Sequence, residues 1–420
     1  MTPVSPRWTP NVLWLAYAVI FLTAISVPLR SLGKAAMQGT LGMACVFSLI
    51  LIISNRDVNA QFKRALQSRL ALLWGILGLA WVIGLPFSFN SLGSFEIGLR
   101  SLGYMLGTTM IYAVLRSYPE HHAWMWKVLT ASAFAAGFDA LLTLNHIPFI
   151  GAHLMGGVGA FSNPSGTYKP YAVTALCLAP VVILAGHHVG GQWKRLAYVH
   201  LLIVVMIIFM TGNRSAMAGL IAMLGITSLC VATHSRRTFI GVLTILAIIT
   251  GIIASWLYMR LPEAALTHVK GLYLPTWLVD PHRQKIWEFT FDKFLEHPIF
   301  GIGIDQINYI PGAHKIVPGI SASAYQVPSH PHNWMLELAS ETGLVGLCAV
   351  LLCLGYLVYV LSIRYLKHKD GQSMAGLVLI GAFFSSSLFN FSIWTSWWQL
   401  TFYILIAMVL SMGSKVRSNL

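Results

Sequence analysis

Charged residues are scarce in this chain of 420 residues. Asp, Glu, Lys and Arg make up 10% of the sequence and hydrophobic residues make up 56%, whereas an average soluble domain is about 25% charged. A soluble core cannot hold so much apolar surface, but lipid accepts it on every side of a helix. The composition therefore excludes an ordinary soluble domain. The first apolar run, residues 13–29, is followed at once by others, which predicts a retained membrane span rather than a cleaved signal peptide.

Cysteine is also rare, and its positions exclude two kinds of site. All five cysteines lie inside apolar runs, so we predict neither a disulfide framework in the outer loops nor a cysteine-type metal site. The sequence lacks a P-loop, a dinucleotide fingerprint, a Gly-x-Ser-x-Gly elbow, and the Asp-x-Asp or His-x-x-x-His pairs that hold divalent metals. We therefore predict no metal and no cofactor. An enzyme of this kind would have to stabilise leaving-group charge with arginines.

About twelve segments have the roughly 20 mostly apolar residues that a spanning helix needs. They lie near residues 13–29, 36–54, 70–88, 98–116, 124–144, 170–186, 196–211, 215–233, 238–258, 334–363, 373–391 and 394–413. Basic residues gather in five clusters that, with twelve spans, all fall on the side of both termini. That side is therefore predicted to be the cytoplasm. This topology explains much of the net charge of +14, and we predict no nucleic-acid partner because no basic block is interleaved with aromatic residues. The clusters are Arg56, Lys63, Arg64 and Arg69; Lys194 and Arg195; Arg236 and Arg237; Arg364, Lys367 and Lys369; and Lys415 and Arg417.

The outer side receives the longest interruption between apolar runs, residues 259–333. Between Pro281 and Pro298 apolar residues recur at helical spacing, which predicts an amphipathic helix on the membrane surface or on the tops of the spans. We predict an all-α polytopic bundle of about twelve transmembrane helices in three parts. Residues 1–258 form helices one to nine, residues 259–333 form an outer loop domain, and residues 334–420 form helices ten to twelve and a short tail.

Several residues on the outer side could carry chemistry. His330 and His332 flank a proline just before a span, where a histidine can accept a proton at neutral pH and Asn333 can cap the helix. Arg214 ends a tight turn between two spans, and Arg283 begins the amphipathic helix; an arginine presents a fork of donors that matches phosphate oxygens. Alternatively, the histidines are ordinary interfacial residues, Arg214 caps the preceding helix, and Arg283 lies on a solvated face.

Four further cations lie on the outer side, where the orientation rule disfavours them: Arg30, Lys34, Arg100 and Lys169. As a set they suggest an anionic ligand at that face. Taken singly, each could instead extend toward lipid headgroups.

Ordered motifs in the sequence resemble those of the O-antigen ligases and, more broadly, of the O-antigen ligase/polymerase superfamily of bacterial membrane glycosyltransferases. The elements are Gly159-Ala-Phe-Ser-Asn-Pro164, Thr211-Gly-Asn-Arg-Ser215, Arg283-x-x-x-Trp287, Pro298-x-x-Gly-x-Gly303, and His332-Asn333 followed by Leu336 and Glu341-Thr-Gly343. Asn213 departs from the family pattern, in which serine is commoner. The resemblance also implies a fold similar to that of GT-C glycosyltransferases, with the outer loop in the periplasm.

The resemblance implies a ligase that transfers a glycan from undecaprenyl pyrophosphate to a sugar hydroxyl of lipid A–core at the periplasmic face of the bacterial inner membrane. The donor, the acceptor and membrane lipids would be its partners, and the oligomeric state is left open. His332 matches the family's histidine and would be the general base, although the neighbouring His330 leaves that choice open. Arg214 and Arg283 would bind the pyrophosphate in a metal-independent, inverting transfer. The other substrate-binding candidates are His330, Asn333, Arg100, Lys169, Asn163, Lys285 and Trp287.

Three other functions remain as alternatives. An O-antigen polymerase joins two lipid-linked glycans, but such enzymes often have two sizeable outer loops, whereas this sequence has one. Protein O-oligosaccharyltransferases tend to carry further sequence after the shared domain. A transporter of lipid-linked glycans should show repeated halves and ionisable groups at mid-membrane, where Asp139 is the clearest acid.

Overall fold

The structure, a computed structural model, describes residues 10–147, 150–154, 162–233, 235–260, 269, 271–274, 276 and 279–412. Over these residues the regular structure is helical apart from an isolated bridge between Ile316 and Tyr325. The predicted all-α fold is confirmed. The α-helices are α1 (Pro10–Ser26), α2 (Lys34–Ser54), α3 (Arg56–Leu66), α4 (Arg69–Gly84), α5 (Ser91–Ser117), α6 (His122–Leu144), α7 (Ile150–Leu154), α8 (Pro164–Val189), α9 (Gly191–Thr211), α10 (Arg214–Ala232), α11 (Arg236–Arg260), α12 (Pro281–Glu296), α13 (Trp334–His368), α14 (Gly371–Ser387) and α15 (Ser396–Ser411).

Apolar helices dominate the described ranges, and seven of them are long and apolar enough to cross a membrane. They are Lys34–Ser54, Arg69–Phe87, Pro119–Leu144, Pro164–Val189, Gly191–Thr211, Arg214–Ala232 and Trp334–His368, and three shorter apolar helices are Leu13–Ser26, Arg237–Ile252 and Ser396–Ser411. Each predicted span overlaps a helix. The chain is a multi-pass membrane protein, while the count of twelve spans, their orientation and the three-part division stay predictions.

Residues 55–69, which hold the first basic cluster, were expected to be a loop between two spans. Most of this segment is instead helix α3. The side-chain oxygen of Asn55 accepts hydrogen bonds from the backbone N–H groups of Asp57 and Val58 and so caps the helix. Val58 is fully buried and anchors the helix to the bundle. A search for about 20 apolar residues detects only spans, so it misses a short helix held by one cap and a narrow apolar contact.

Among the helices that begin on the predicted outer side, α8, α10, α12 and α13 have asparagine or aspartate N-caps. The side chains of Asn163, Asn213, Asp280 and Asn333 accept hydrogen bonds from backbone N–H groups in the first turns of α8, α10, α12 and α13. Each cap satisfies donors that the helix itself leaves unpaired and typically stabilises it by about 1 kcal/mol. A helix, α12, lies between Pro281 and Pro298, where the sequence predicted one.

Helix α13 is interrupted at Gly343, which has a φ of 62° and a ψ of −169°. The segment that follows α12 inserts at this break. The N–H groups of Leu344 and Val345 donate to the carbonyls of Pro298 and Ile299 at 2.8 and 3.2 Å. In return, Ile302 donates to Ser340 and Gly303 donates to Glu341, at 3.0 and 2.9 Å. These backbone bonds join the outer loop to the first turns of α13.

Glycine is required at the break because of both conformation and space. A positive φ disfavours any side chain, and a Cβ on Gly343 would overlap the carbonyl of Ile299. Gly301, with a φ of 72°, faces the backbone of Glu341 equally closely. The Pro-x-x-Gly-x-Gly and Glu-x-Gly motifs are therefore two sides of one backbone contact.

We expect Gly343→Ala to lower the unfolding free energy by about 2 kcal/mol or more, since it combines backbone strain with a steric overlap. The matched control is Gly355→Ala, in the same helix, where an added Cβ meets nothing within 4 Å and alanine is the better helix former. Thermal unfolding in detergent measures both. Equal melting temperatures for the two variants would contradict the packing described.

Candidate functional site

Two arginines and a pair of histidines lie at three of the capped helix starts. Arg214 is the first residue of α10, and its side chain is exposed. Arg283 lies in the first turn of α12 and is half-buried. His332 directly precedes Asn333, the cap of α13. The caps therefore fix the backbone positions of all three residues predicted to be catalytic.

The two arginines and the two histidines lie close enough together to influence one another's pKa values. The pKa of Arg283 is lowered chiefly by burial, while Asp280 raises it and the positive charge of Arg214 lowers it further. Arg283 in turn lowers the pKa values of His330 and His332. The structure thus brings together the two arginines and both histidines, although they lie on three separate elements.

The two histidines converge on one backbone carbonyl. Their ring centroids are 4.1 Å apart. His330 Nε2 lies 3.2 Å, and His332 Nδ1 lies 3.1 Å, from the carbonyl oxygen of Asn390, which belongs to the turn between α14 and α15. A carbonyl oxygen only accepts hydrogen bonds, so each of these nitrogens carries the proton.

The tautomers that result distinguish the two histidines. In His330 the other nitrogen, Nδ1, accepts from the hydroxyl of Ser329 at 2.9 Å, so both ring nitrogens are engaged. In His332 the other nitrogen is Nε2, which carries a lone pair and has no hydrogen-bond partner within the described part of the chain. The geometry therefore makes His332 the better base of the two.

Both imidazoles are neutral at physiological pH. The pKa of His332 is lowered to about 4, chiefly by burial and then by the charge of Arg283. The pKa of His330 is lowered to about 3, chiefly by burial and then by the charge that His332 carries once it is protonated at low pH. In each case the hydrogen bond to Asn390 opposes the shift but does not outweigh it.

Trp287 holds the histidine segment against α12. Its indole N–H donates to the carbonyl of Pro331 at 2.9 Å, and its ring lies 6.0 Å from that of Phe389 between centroids. His332 itself has a φ of 57°, which is uncommon for a residue other than glycine. Such strain persists only where surrounding contacts enforce it, and here the bonds to Asn390 and from Trp287 do so.

Three more of the predicted substrate-binding residues lie around the helix starts. Asn213 donates from Nδ2 to the carbonyl of Lys169 at 2.8 Å, so the exposed Lys169 lies beside the Arg214 turn. Asn163 and Asn333 use their side-chain oxygens as helix caps.

Other predicted cations have protein partners. Lys285 forms a 2.6 Å ion pair with Glu288, and Arg100 donates to the carbonyl of Trp394 at 2.8 Å. Arg30 is buried, with its guanidinium 4.4 Å from the ring centroid of Trp397. Lys34 is exposed. Lys169 and Arg214 are thus better placed for an anionic ligand than Arg30 or Arg100.

Sequence reasoning did not single out Glu337 and gave Glu341, named only within a motif, no role. Glu337 and Glu341 are each 1% exposed and bond to the turn that presents Asn390. Their four-residue spacing puts both on one face of a helix, and an acid within an apolar span is costly enough to be a functional signal. That signal was available in the sequence. The role of the Asn390 carbonyl was not, because any residue type supplies a carbonyl.

The fold and site define a multi-pass membrane protein with a histidine and arginine site between its outer loop and its spans. Residues 199–351 match the model of the O-Antigen ligase family. The match includes Arg214, Arg283 and His332 but not the Gly159–Pro164 motif. The predicted resemblance to O-antigen ligases is confirmed over this segment.

Curated relatives agree with the family match. A protein of Rickettsia conorii, provisionally named a polysaccharide ligase, is 32% identical over 127 residues, which cover 30% of each chain. A similarly named protein of Rickettsia prowazekii is 31% identical over 140 residues, covering 33% of this chain and 34% of the relative. The chain thus aligns with about a third of the length of these relatives.

We expect carbethoxylation to show that His332 stays unprotonated far below pH 6.5, because the reagent attacks only a neutral imidazole. In a His330→Gln background, mass spectrometry of the peptide containing His332 should give a rate midpoint near pH 4. Arg283→Gln removes a positive charge that lowers the pKa of His332, so it should move the midpoint upward. A midpoint near pH 6.5 that does not change in the Arg283→Gln variant would contradict the environment described for His332.

Proposed function

We propose that the chain is an O-antigen ligase that transfers a glycan from undecaprenyl pyrophosphate to a sugar hydroxyl of lipid A–core at the periplasmic face of the bacterial inner membrane. The observation that carries the proposal is the 3.1 Å contact of His332 Nδ1 with the carbonyl oxygen of Asn390. A general base needs a lone pair directed at the proton it removes, and the bond from Nδ1 to Asn390 leaves that lone pair on Nε2. The family match supports the reaction class.

In the proposed mechanism His332 Nε2 takes the proton of the acceptor hydroxyl. The hydroxyl oxygen attacks the anomeric carbon of the donor sugar, the bond from that carbon to the pyrophosphate oxygen breaks, and undecaprenyl pyrophosphate leaves. A single displacement of this kind inverts the anomeric configuration. Arg214 and Arg283 bind the pyrophosphate and neutralise the charge that develops on it, the role that phosphoryl recognition by arginine forks allows.

The arginines also couple donor binding to the base. In the free protein the charge of Arg283 contributes to the low pKa of His332. An anionic pyrophosphate beside Arg283 offsets that charge and raises the pKa of His332 toward neutrality, where a general base is most effective. The base is therefore activated when the donor is in place.

The transporter alternative has less support. Asp139, the clearest candidate for an intramembrane ionisable site, accepts hydrogen bonds from the N–H of Gly151 at 3.0 and 3.1 Å. These bonds tie α7 to α6, which gives Asp139 a local structural role.

Deletion of the gene in its own bacterium tests the reaction class. The proposal predicts lipopolysaccharide with a bare core, together with accumulated lipid-linked glycan, seen as loss of the ladder on a gel. Cores that carry a single repeat unit would indicate a polymerase instead. Accumulation of the lipid-linked glycan on the cytoplasmic face alone would indicate a transporter.

His332→Ala in the purified protein tests the base. We expect transfer to fall by roughly 100-fold or more, the usual contribution of a positioned general base, while the protein remains folded by size-exclusion chromatography. His330→Ala is the matched control, because the ring nitrogens of His330 are both engaged, and it should lose much less. A larger loss of transfer activity in His330→Ala than in His332→Ala would indicate that His330 is the base.

A further inference from the structure

The turn at residues 390–395, between α14 and α15, decides which nitrogen of His332 is protonated. Its contribution is the backbone carbonyl of Asn390, which accepts the Nδ1–H of His332. If that carbonyl moved away, Nδ1 would lose its partner and the proton could occupy Nε2, where it would remove the lone pair needed for catalysis. Whatever holds the turn therefore controls the base.

The buried side chains of two glutamates of α13 hold the turn. Glu337 accepts the backbone N–H of Ile393 at 2.8 Å. Glu341 accepts the indole N–H of Trp394. On its other side Glu341 accepts the N–H groups of Asp305 and Ile307, at 2.9 and 3.1 Å, so it joins the outer loop to the same turn.

Of the two glutamates, Glu337 lies nearer to His332 along the chain. His332 precedes α13 directly, and Glu337 lies in its first turn. The same short segment therefore carries His332 and the side chain of Glu337. Glu337 holds the turn whose Asn390 carbonyl accepts the hydrogen bond of His332. Glu341 lies one turn further on and is shared with the outer loop.

We infer that Glu337 is a positioning residue that sets the tautomer of His332 by anchoring the 390–395 turn. The inference rests on the proposed function in that His332 is the base of the reaction. Glu337 touches no reacting atom of the proposed transfer. It acts through Ile393 and the Asn390 carbonyl.

Hydrogen-bond capacity predicts how substitutions rank. Glu337→Gln keeps one side-chain oxygen for the Ile393 N–H and should preserve the turn. Glu337→Asp withdraws the acceptor by one methylene, and Glu337→Leu removes it. Glu341→Gln should be costly by contrast, because both side-chain oxygens of Glu341 already accept from three N–H groups.

The test is nitrogen-15 NMR of histidine-labelled protein in detergent, with the His332 signals identified by their loss in His332→Ala. Wild type and Glu337→Gln should show protonated Nδ1 and unprotonated Nε2. Glu337→Asp and Glu337→Leu should show a mixture of tautomers, with kcat for transfer lowered about 10- to 100-fold and the KM for the lipid-linked donor unchanged. Gln372→Leu is the control for lost stability alone, because Gln372 is buried and donates to the Val409 carbonyl at 2.6 Å near the opposite end of α14.

Protonated Nε2 in wild-type His332 would overturn the inference, as would an unchanged tautomer and kcat in folded Glu337→Leu. If Glu337→Leu does not fold, the comparison of Glu337→Gln with Glu337→Asp decides in the same way. The tautomer is measured without substrate. A wild-type protein that has the expected tautomer but no ligase activity would therefore refute the proposed function and leave the turn's role standing.

Discussion

The carbonyl oxygen of Asn390 accepts hydrogen bonds from two imidazoles at once, and the rest of the site is organised around that oxygen. It orients both rings and assigns their protons, so two histidines only two residues apart become chemically different. The other ring nitrogen of His330 accepts a hydrogen bond from Ser329. His332 keeps one lone pair for chemistry.

Backbone hydrogen bonds at the break in α13 support this arrangement. The break at Gly343 lets the segment after α12 bond to α13 on both sides of the interruption, which places the first turns of α13 beside the outer loop. Glu337 and Glu341 lie in those turns and reach the 390–395 turn. The segment after α12, the broken helix α13 and the turn between α14 and α15 thus form one scaffold around His332.

Electrostatics adds a second level of organisation. Arg214 and Arg283 repel each other and lower the pKa values of nearby groups, which is an unfavourable arrangement in the absence of an anion. Buried or neighbouring like charges of this kind are typical of functional sites. In the proposed function, an anionic ligand beside Arg283 would relieve the repulsion and raise the pKa of His332.

The sequence predicted the class of fold and the cap at Asn333, because apolar length and an N-cap residue before a span are local signals. It also predicted α12 from its periodicity. It could not choose between His330 and His332, since that choice depends on a backbone carbonyl 58 residues away along the chain. Nor could it foresee that Lys285 pairs with Glu288 and that Arg100 bonds to Trp394, because such partners are set by packing.

The most direct test of the central claim is an experimental structure with undecaprenyl-pyrophosphate-linked glycan and lipid A–core bound. The account predicts that His332 Nε2 lies within about 3.2 Å of the acceptor hydroxyl, the reach of a general base, and that Arg214 and Arg283 contact the pyrophosphate. An acceptor hydroxyl bonded to His330 instead, or a pyrophosphate remote from both arginines, would contradict it.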